Sequence, residues 1–326
     1  MQEQWNHKIF SVKEPGFEKL ALEVFYFQAA ENPVYKAYLE ALGINAGAVR
    51  TIKQVPFLPV RFFKSQLIKT TFFDPAIIFE SSGTTGSINS KHLVKDLSLY
   101  DESFIKSFEL LYGSLKDWCI IGLLPSYLER KNSSLVYMVS QFIQLSEQPQ
   151  NGFYLNEYEQ LFALLTELEK RKQKTLLIGV TFALLDFAKK YSLPLQYTTV
   201  METGGMKGRR DEMIRPEVHE ILAKAFQLPA IHSEYGMTEL LSQAYSKGNG
   251  IFKCPPWMKI LIRDEEDPFV VTNEGAGTIN VIDLANIYSC SFIATDDVGK
   301  LYADSSFEVL GRIDGSDLRG CSLMVL

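Results

Sequence analysis

A loop rich in glycine and hydroxyl side chains, Glu80-Ser81-Ser82-Gly83-Thr84-Thr85-Gly86-Ser87, directly follows a short apolar run at residues 76–80. Two glycines allow the backbone to approach an anion closely, and the hydroxyl and N–H groups can hydrogen-bond to phosphate oxygens. The loop has neither the Gly-Lys-Ser/Thr ending of a Walker A motif nor the spacing of a dinucleotide fingerprint. Clusters of this kind are usually plain turns, but the string at residues 82–86 is rare by chance. The sequence therefore predicts a phosphate-binding loop after a β-strand.

Apolar runs and helical patterns alternate on the C-terminal side of this loop. The predicted strands lie at residues 118–124, 175–178, 197–201 and 230–232, and the predicted helices at 97–111, 134–145, 182–191 and 211–226. This alternation favours a parallel sheet covered by helices. Beyond residue 250, short strands are separated by Gly, Asn and Asp, which indicates a mostly-β region. We predict an α/β core at 1–250, a mostly-β subdomain of the same core at 251–310 and a C-terminal tail at 311–326.

Composition narrows the possible functions of the 326-residue chain. Lys and Arg number 33 against 39 Asp and Glu, a net charge of −6, which argues against a nucleic-acid binder with a basic face. The four cysteines are scattered without a CxxC pair, so neither a zinc site nor a disulfide framework is indicated. No signal peptide opens the chain and no apolar run approaches ~18 residues, so we expect a soluble, cytoplasmic protein with no membrane span.

Four motifs stand in the order found in the acyl-adenylate-forming superfamily. Residues 82–86 resemble its ATP phosphate loop, and Tyr-Gly-Met-Thr-Glu at 235–239 is similar to its adenine-and-magnesium motif. Residues 295–299 resemble the ribose motif, with Asp296 in place of a glycine, and residues 311–314 resemble the hinge motif. The resemblance implies the large N-terminal domain of these enzymes, in which helices flank parallel sheets and a smaller subdomain is mostly β.

Further segments narrow this resemblance to the LuxE-type acyl-protein synthetases. These segments lie at residues 56–64, 130–135, 204–207 and 319–323. Members of that family form the synthetase subunit of the bacterial luminescence fatty-acid reductase. The resemblance therefore implies a fatty acid or other carboxylate substrate, and an acyl-reductase or acyl-carrier protein as a possible partner.

The superfamily motifs also imply ATP and Mg²⁺ as cofactors and assign roles to individual residues. Thr84 and Thr85 would hold the β- and γ-phosphates, and Tyr235 would stack on adenine. Glu239 would bind Mg²⁺, a hard cation that takes carboxylate oxygens. Taken alone, Glu239 has the features of a solvated carboxylate at a helix start, and Asp297 those of a turn residue. The ATP-binding residues implied in this way are Ser82, Gly83, Thr84, Thr85, Gly86, Gly204, Gly205, Tyr235, Gly236, Thr238, Asp297 and Arg312.

Most adenylate-forming enzymes carry a further domain of ~100 residues, a typical small-domain size, whose lysine reaches the α-phosphate. Because the chain ends at Leu326, we expect this swinging domain to be absent and the positive charge to come from elsewhere. The candidates are Lys91, Lys207, Arg209 and Arg210, of which we assign Lys207 to the catalytic set. A solvated basic helix start explains the last three equally well.

Cys321 is the predicted acyl carrier, because LuxE-type enzymes use a cysteine near the C-terminus and Arg319 would favour the thiolate. A structural cysteine in a final strand is the alternative. Cys119, Cys254 and Cys290 are predicted to be structural. The leading hypothesis is ATP-dependent conversion of a fatty acid to acyl-AMP, followed by transfer of the acyl group to a protein cysteine. An acyl-CoA or carrier-protein ligase and a catalytically silent nucleotide-binding subunit are the alternatives.

Overall fold

A computed structural model describes residues 2–81, 88–124, 132–204, 213–264 and 266–313. These residues form two compact units. The first contains the described residues up to 107 together with 236–243 and 253–313, and the second contains those of 108–235 together with 244–252. Each unit is therefore assembled from separate parts of the chain, and the division at residues 250 and 310 stays a prediction.

The described α-helices alternate with strands over much of the chain. They are α1 (Gln2–Phe10), α2 (Glu14–Glu31), α3 (Pro33–Ala41), α4 (Phe62–Ser65), α5 (Leu97–Tyr112), α6 (Ser134–Ser146), α7 (Tyr158–Lys170), α8 (Thr181–Lys190) and α9 (Arg215–Phe226). The strands are β1 (Leu58–Pro59), β2 (Ile77–Glu80), β3 (Lys91–Val94), β4 (Cys119–Leu123), β5 (Gly152–Tyr154), β6 (Thr175–Gly179), β7 (Thr198–Glu202), β8 (His232–Tyr235), β9 (Ala244–Ser246), β10 (Phe252–Lys253), β11 (Met258–Arg263), β12 (Val271–Thr272), β13 (Gly275–Asp283), β14 (Phe292–Leu301) and β15 (Phe307–Arg312).

The second unit contains the parallel sheet that the alternating pattern predicts. Strands β5, β4, β6, β7 and β8 lie side by side in that order and pair in parallel, and β9 continues the sheet antiparallel to β8. Every residue of β4 and β6 is buried, as expected when both faces of a parallel sheet are covered. The predicted α/β class is confirmed.

The first unit contains the mostly-β region expected beyond residue 250. Its strands follow the order β12-β11-β13-β14-β15 and pair antiparallel. Prolines at residues 56 and 59 argue against a regular central strand in this segment. Strand β1 nevertheless pairs in parallel with β14 over two residues. Val60 N–H donates to the Ala294 carbonyl at 2.9 Å, so this short pairing avoids the missing N–H of Pro59.

The predicted phosphate loop lies between two antiparallel strands of the first unit. Strand β2 pairs with β3, and Glu80 lies opposite Lys91. Beyond that pair, Ser81 N–H donates to the Ser90 carbonyl at 3.1 Å, and Ser90 N–H donates to Ser81 Oγ at 2.9 Å. The helix predicted at residues 97–111 is found as α5, but strand β3, which lies between the loop and this helix, was not predicted. Residues 82–87 lie outside the described residues.

Candidate functional site

The segment that follows β8 carries the predicted adenine-and-magnesium motif. Tyr235 is the last residue of β8 in the second unit, and its buried ring packs edge-on against Phe252 with centroids 6.0 Å apart. Gly236 begins the part of the chain that belongs to the first unit. The stacking of Tyr235 on adenine stays a prediction.

Glu239 is buried, with only 1% of its surface exposed. Residues 236–243 form no helix, so the alternative of a solvated carboxylate at a helix start is wrong. The Oε2 atom of Glu239 is buried and has no hydrogen-bond partner among the described residues. A buried carboxylate oxygen without a donor is costly, and a bound cation removes that cost. This carboxylate therefore fits the Mg²⁺ role that the motif implies.

Three buried polar side chains hold the backbone around Glu239. His92 Nδ1 lies 2.8 Å from the Thr238 carbonyl, and because a carbonyl only accepts, Nδ1 carries the proton. Asn286 Nδ2 donates to the Glu239 carbonyl at 2.6 Å. On the far side, Asp283 accepts hydrogen bonds from the N–H groups of residues 241 and 242, at 2.8 and 3.0 Å. None of these three side chains was predicted, because each belongs to a distant part of the sequence.

Burial dominates the protonation behaviour of two of these side chains. It lowers the pKa of His92, although the Thr238 carbonyl, the Glu239 carboxylate and the Asn286 side chain oppose the shift. It raises the pKa of Asp283 to about 6, despite the hydrogen bonds that the carboxylate accepts. The neutral ring of His92 therefore keeps its single proton on Nδ1.

The predicted ribose residues are brought together by strand pairing in the first unit. Asp297 and Arg312 lie opposite each other on β14 and β15, and Arg312 Nε donates to Asp297 Oδ1 at 2.9 Å. Asp297 is 5% exposed. The alternative of a turn at Asp297 is wrong, because residues 295–299 lie within β14 and cross-strand pairing overrides the local Asp-Asp turn preference. The hinge-like Gly311 and Arg312 are the last residues of β15.

Two further arginines contact the ribose motif and were not predicted as site residues. Arg61 Nε donates to Asp296 Oδ2 at 3.2 Å. Arg263 donates to the Thr295 carbonyl at 2.5 Å and to Asn280 Oδ1 at 2.8 Å. Burial lowers the pKa of Arg263 and Asp296 opposes that shift, so the guanidinium remains charged at neutral pH. The sequence feature that could have pointed to these arginines is the LuxE-like segment 56–64, which contains Arg61.

Gly204, in the second unit, is held by a buried carboxylate two residues earlier. Gly204 has a φ of +73°, in the left-handed region that favours glycine. Its N–H donates to Glu202 Oε2 at 2.7 Å, and Thr181 Oγ1 donates to the same oxygen at 3.1 Å. Arg215 Nε lies 3.1 Å and His219 Nε2 3.5 Å from Glu202 Oε1. Burial alone would raise the pKa of Glu202, but Arg215 and His219 outweigh it and lower that pKa.

His232 was left out of the predicted catalytic set, and it begins β8 in the second unit. The Tyr112 hydroxyl lies 3.1 Å from His232 Nδ1. Burial, Lys247 and His219 lower the pKa of His232 to about 4. The imidazole is therefore neutral at physiological pH and packed against a tyrosine.

The remaining predicted site residues lie outside the described residues. They are Ser82, Gly83, Thr84, Thr85, Gly86, Gly205, Lys207 and Cys321, together with the alternative cations Arg209 and Arg210. Lys91 is exposed at the start of β3. Within the described part of the chain, no group of three His, Cys, Asp or Glu side chains is arranged to hold a metal ion.

The sequence model of the family "Acyl-protein synthetase, LuxE" matches residues 9–326. The chain belongs to the LuxE acyl-protein synthetase family. No curated protein sequence matches the chain. In the described part of this family member, no helix has the length and apolar character needed to cross a membrane.

Solved structures with the same fold are adenylate-forming enzymes. ATP-bound MatB from Rhodopseudomonas palustris matches with a TM-score of 0.55 and 15% identity, covering 74% of this chain and 50% of that one. A 2-hydroxyisobutyryl-CoA ligase in complex with 2-HIB-AMP and CoA matches with a TM-score of 0.66 and 10% identity, covering 91% and 69%. The luciferase-like enzyme of the nonluminescent mealworm Zophobas morio matches at 0.50 and 16%, covering 76% and 60%. This chain thus spans about half the length of MatB, and the likeness shows the fold.

Proposed function

We propose that this LuxE-family protein activates a carboxylic acid with ATP to form an acyl adenylate. The observation that carries the proposal is the buried Glu239 carboxylate, which has an oxygen with no donor among the described residues and lies on the adenine-and-magnesium motif. The Asp297–Arg312 pair on the ribose motif supports the same function. Both features suit a nucleotide whose phosphates carry a divalent cation.

The first step joins the acid to the nucleotide. A carboxylate oxygen attacks the α-phosphorus of ATP, and the bond from that phosphorus to the oxygen bridging to the β-phosphate breaks. Pyrophosphate leaves with the bonding electron pair, and acyl-AMP remains. Such a transfer needs positioning and charge neutralisation more than covalent help from the protein. Mg²⁺ held by Glu239 would supply part of that neutralisation.

The residues assigned to this step follow the motifs. The loop at 82–86 would hold the phosphates, with Thr84 and Thr85 as hydroxyl donors. Asp297 would accept hydrogen bonds from the ribose hydroxyls while Arg312 fixes its carboxylate. Gly204 and Gly205 would allow adenine to pass close to the backbone. Lys207 would supply positive charge to the reacting phosphate.

In the second step we propose that the Cys321 thiolate attacks the acyl carbonyl, forming a thioester and releasing AMP. The chemistry of the other cysteines supports this assignment. Burial raises the pKa of Cys119 to about 11 and that of Cys290 to about 12, and it also raises the pKa of Cys254. Thiols of this kind are poor nucleophiles at neutral pH. The family suggests a fatty acid as substrate and an acyl-reductase or acyl-carrier protein as the recipient of the acyl group.

Exchange of labelled pyrophosphate into ATP tests the first step. With Mg²⁺ and a panel of acids from acetate to long-chain fatty acids, we expect exchange that depends on the acid and is strongest for a long chain. Absence of exchange with every acid would refute acid activation and favour a catalytically silent subunit. Stimulation of product formation by coenzyme A would favour the acyl-CoA ligase instead.

Intact-mass analysis after incubation with ATP, Mg²⁺ and the best acid tests the second step. We expect an acyl adduct that hydroxylamine removes and that is missing from Cys321→Ser. Cys254→Ser is the matched control and should keep the adduct. A hydroxylamine-labile adduct that persists in Cys321→Ser would overturn the assignment of Cys321.

A further inference from the structure

Two consecutive carbonyl groups at Glu239 are fixed by side chains from distant parts of the first unit. His92, on β3, donates from Nδ1 to the Thr238 carbonyl at 2.8 Å, and Asn286 donates to the Glu239 carbonyl at 2.6 Å. Both side chains are fully buried. Because both carbonyls are anchored, the peptide planes on either side of the Glu239 Cα have little freedom to rotate, and the direction of its Cα–Cβ bond is set.

The ends of these side chains that do not bind the backbone are left without partners. His92 Nε2, Asn286 Oδ1 and Glu239 Oε2 are buried, and none of them makes a hydrogen bond of ordinary geometry among the described residues, although the Asn286 side chain lies close enough to His92 to raise its pKa. Phe63 covers the imidazole edge-on, with ring centroids 5.9 Å apart. With the proton of His92 on Nδ1, all three unpartnered atoms are acceptors. Buried acceptors without donors are rare in native proteins and mark a place where a ligand or its bound water completes the site.

The segment is fixed on its other side as well. Asp283 accepts hydrogen bonds from the Leu241 and Ser242 N–H groups and from the Ser242 hydroxyl, the last at 2.6 Å. Asp283 precedes a single 3-10 turn that Asn286 ends, and the Asp283 carboxylate also accepts from Ala285 N–H at 3.2 Å. The backbone is therefore anchored both before and after Glu239, which restricts the movement of the segment that carries its carboxylate.

We propose that His92 and Asn286 are positioning residues that hold the Glu239 carboxylate in the orientation needed to bind the cation of MgATP. This inference rests on the proposed function, in which Glu239 binds that cation. Neither residue belongs to the motifs that point to adenylation. Mutation of residues that orient a metal-binding side chain typically lowers metal affinity by about 10- to 100-fold.

The test measures cation binding directly, with Mn²⁺ as a paramagnetic probe. Wild-type protein saturated with α,β-methylene ATP is titrated with Mn²⁺, and bound Mn²⁺ is followed by electron paramagnetic resonance. We expect His92→Phe, which keeps a ring but loses the donor, to weaken Mn²⁺ binding by about tenfold or more, and Asn286→Ala to do the same. His92→Asn places an amide N–H near the position of Nδ1 and should stay close to the wild-type affinity.

A matched control separates positioning from general loss of stability. Asn151, in the second unit, also donates from Nδ2 to a backbone carbonyl, that of Ile143 at 2.8 Å. Asn151→Ala should lower the melting temperature without changing Mn²⁺ affinity. The Mg²⁺ concentration for half-maximal pyrophosphate exchange should rise in His92→Phe and Asn286→Ala alone. If His92→Phe does not fold, the Mn²⁺ affinity of Asn286→Ala decides the test.

The outcomes separate this inference from the proposed function. A wild-type protein without acid-dependent exchange would refute the proposed function. A wild-type protein that exchanges, beside folded variants with unchanged Mn²⁺ affinity, would refute the positioning role alone. Equal loss in His92→Asn and His92→Phe would also overturn it, because the donor would then have no part in the effect.

Discussion

Replacing Glu202 by Gln is expected to destabilise the second unit strongly, although the two side chains have nearly the same shape. Glu202 ends β7, and only 4% of its side chain is exposed. Its carboxylate accepts from Gly204 N–H at 2.7 Å and Thr181 Oγ1 at 3.1 Å, and it pairs with Arg215 at 3.1 Å. Glutamine has one acceptor oxygen and one NH₂ group in place of the two carboxylate oxygens. The NH₂ group would face one of the donors that Glu202 now accepts from, and no hydrogen bond could form there.

The magnitude follows from the charged partner Arg215. A hydrogen bond to a charged group contributes roughly 1.5–3 kcal/mol, and removing one member of a buried pair costs roughly 3–5 kcal/mol. Because 20% of the Arg215 side chain is exposed, water recovers part of its solvation, so we expect a loss of about 3 kcal/mol. Urea unfolding at pH 7, followed by circular dichroism, measures it.

The pH dependence gives an independent check with a definite sign. The pKa of Glu202 is lowered in the folded protein, so its contribution is complete above the unfolded pKa of about 4.3 and is lost as the pH falls below that value. The unfolding free energy of the wild type should therefore fall more steeply below about pH 5 than that of Glu202→Gln.

Glu169 offers a control in the same unit. Its carboxylate also accepts several hydrogen bonds, from the N–H groups of residues 196 and 197 and from the Thr198 hydroxyl, but all of these donors are neutral. Glu169→Gln should lower the unfolding free energy by less than Glu202→Gln, because Glu169 is only half-buried and water can replace part of its lost hydrogen bonding. The buried-pair reasoning fails if Glu202→Gln lowers the unfolding free energy by no more than Glu169→Gln does. It also fails if the unfolding free energy of Glu202→Gln falls as steeply below about pH 5 as that of the wild type.

Three further predictions concern the proposed site. Glu239→Gln should abolish pyrophosphate exchange without lowering the melting temperature, because its buried Oε2 has no donor to lose among the described residues; exchange at the wild-type rate would remove Glu239 from the site. Replacing Thr84 and Thr85 together by Val should raise the Kd for ATP, measured by calorimetry, by about tenfold for ~1.4 kcal/mol of lost hydrogen bonding; an unchanged Kd would make the loop a plain turn. Arg312→Gln, which frees the Asp297 carboxylate from its 2.9 Å partner, should raise the KM for ATP more than it lowers kcat; an effect on kcat alone would contradict a role in holding ribose.

The sequence predicted the elements whose signals are local. The apolar runs of β4 and β6 are buried throughout, and the helical spacing after each of them led to α6 and α8. Strand β3 was not predicted, because Lys91–Val94 is only four residues long and begins with an exposed charged residue. A run that short has too few residues to establish an alternating pattern.

The alternative of a turn at Asp297 fails for a different physical reason. Two consecutive aspartates before Val-Gly favour a turn in any local reading. In the folded chain, the same residues pair with β15, and Asp297 gains the Arg312 guanidinium directly opposite on that strand. An ion pair between strands depends on register, which a local reading of one strand does not contain.

The side chains around Glu239 show why the motif was predictable and its support was not. Motif residues carry groups that a nucleotide needs, so their types recur and can be matched. His92 and Asn286 instead donate to the carbonyls of Thr238 and Glu239, and every residue has a carbonyl. Nothing in the types of Thr238 and Glu239 thus indicates a partner 146 residues away at His92. Support of this kind becomes visible only when the fold places a buried donor beside the backbone, so the Mn²⁺ titration of the His92 and Asn286 variants tests what the motif alone does not contain.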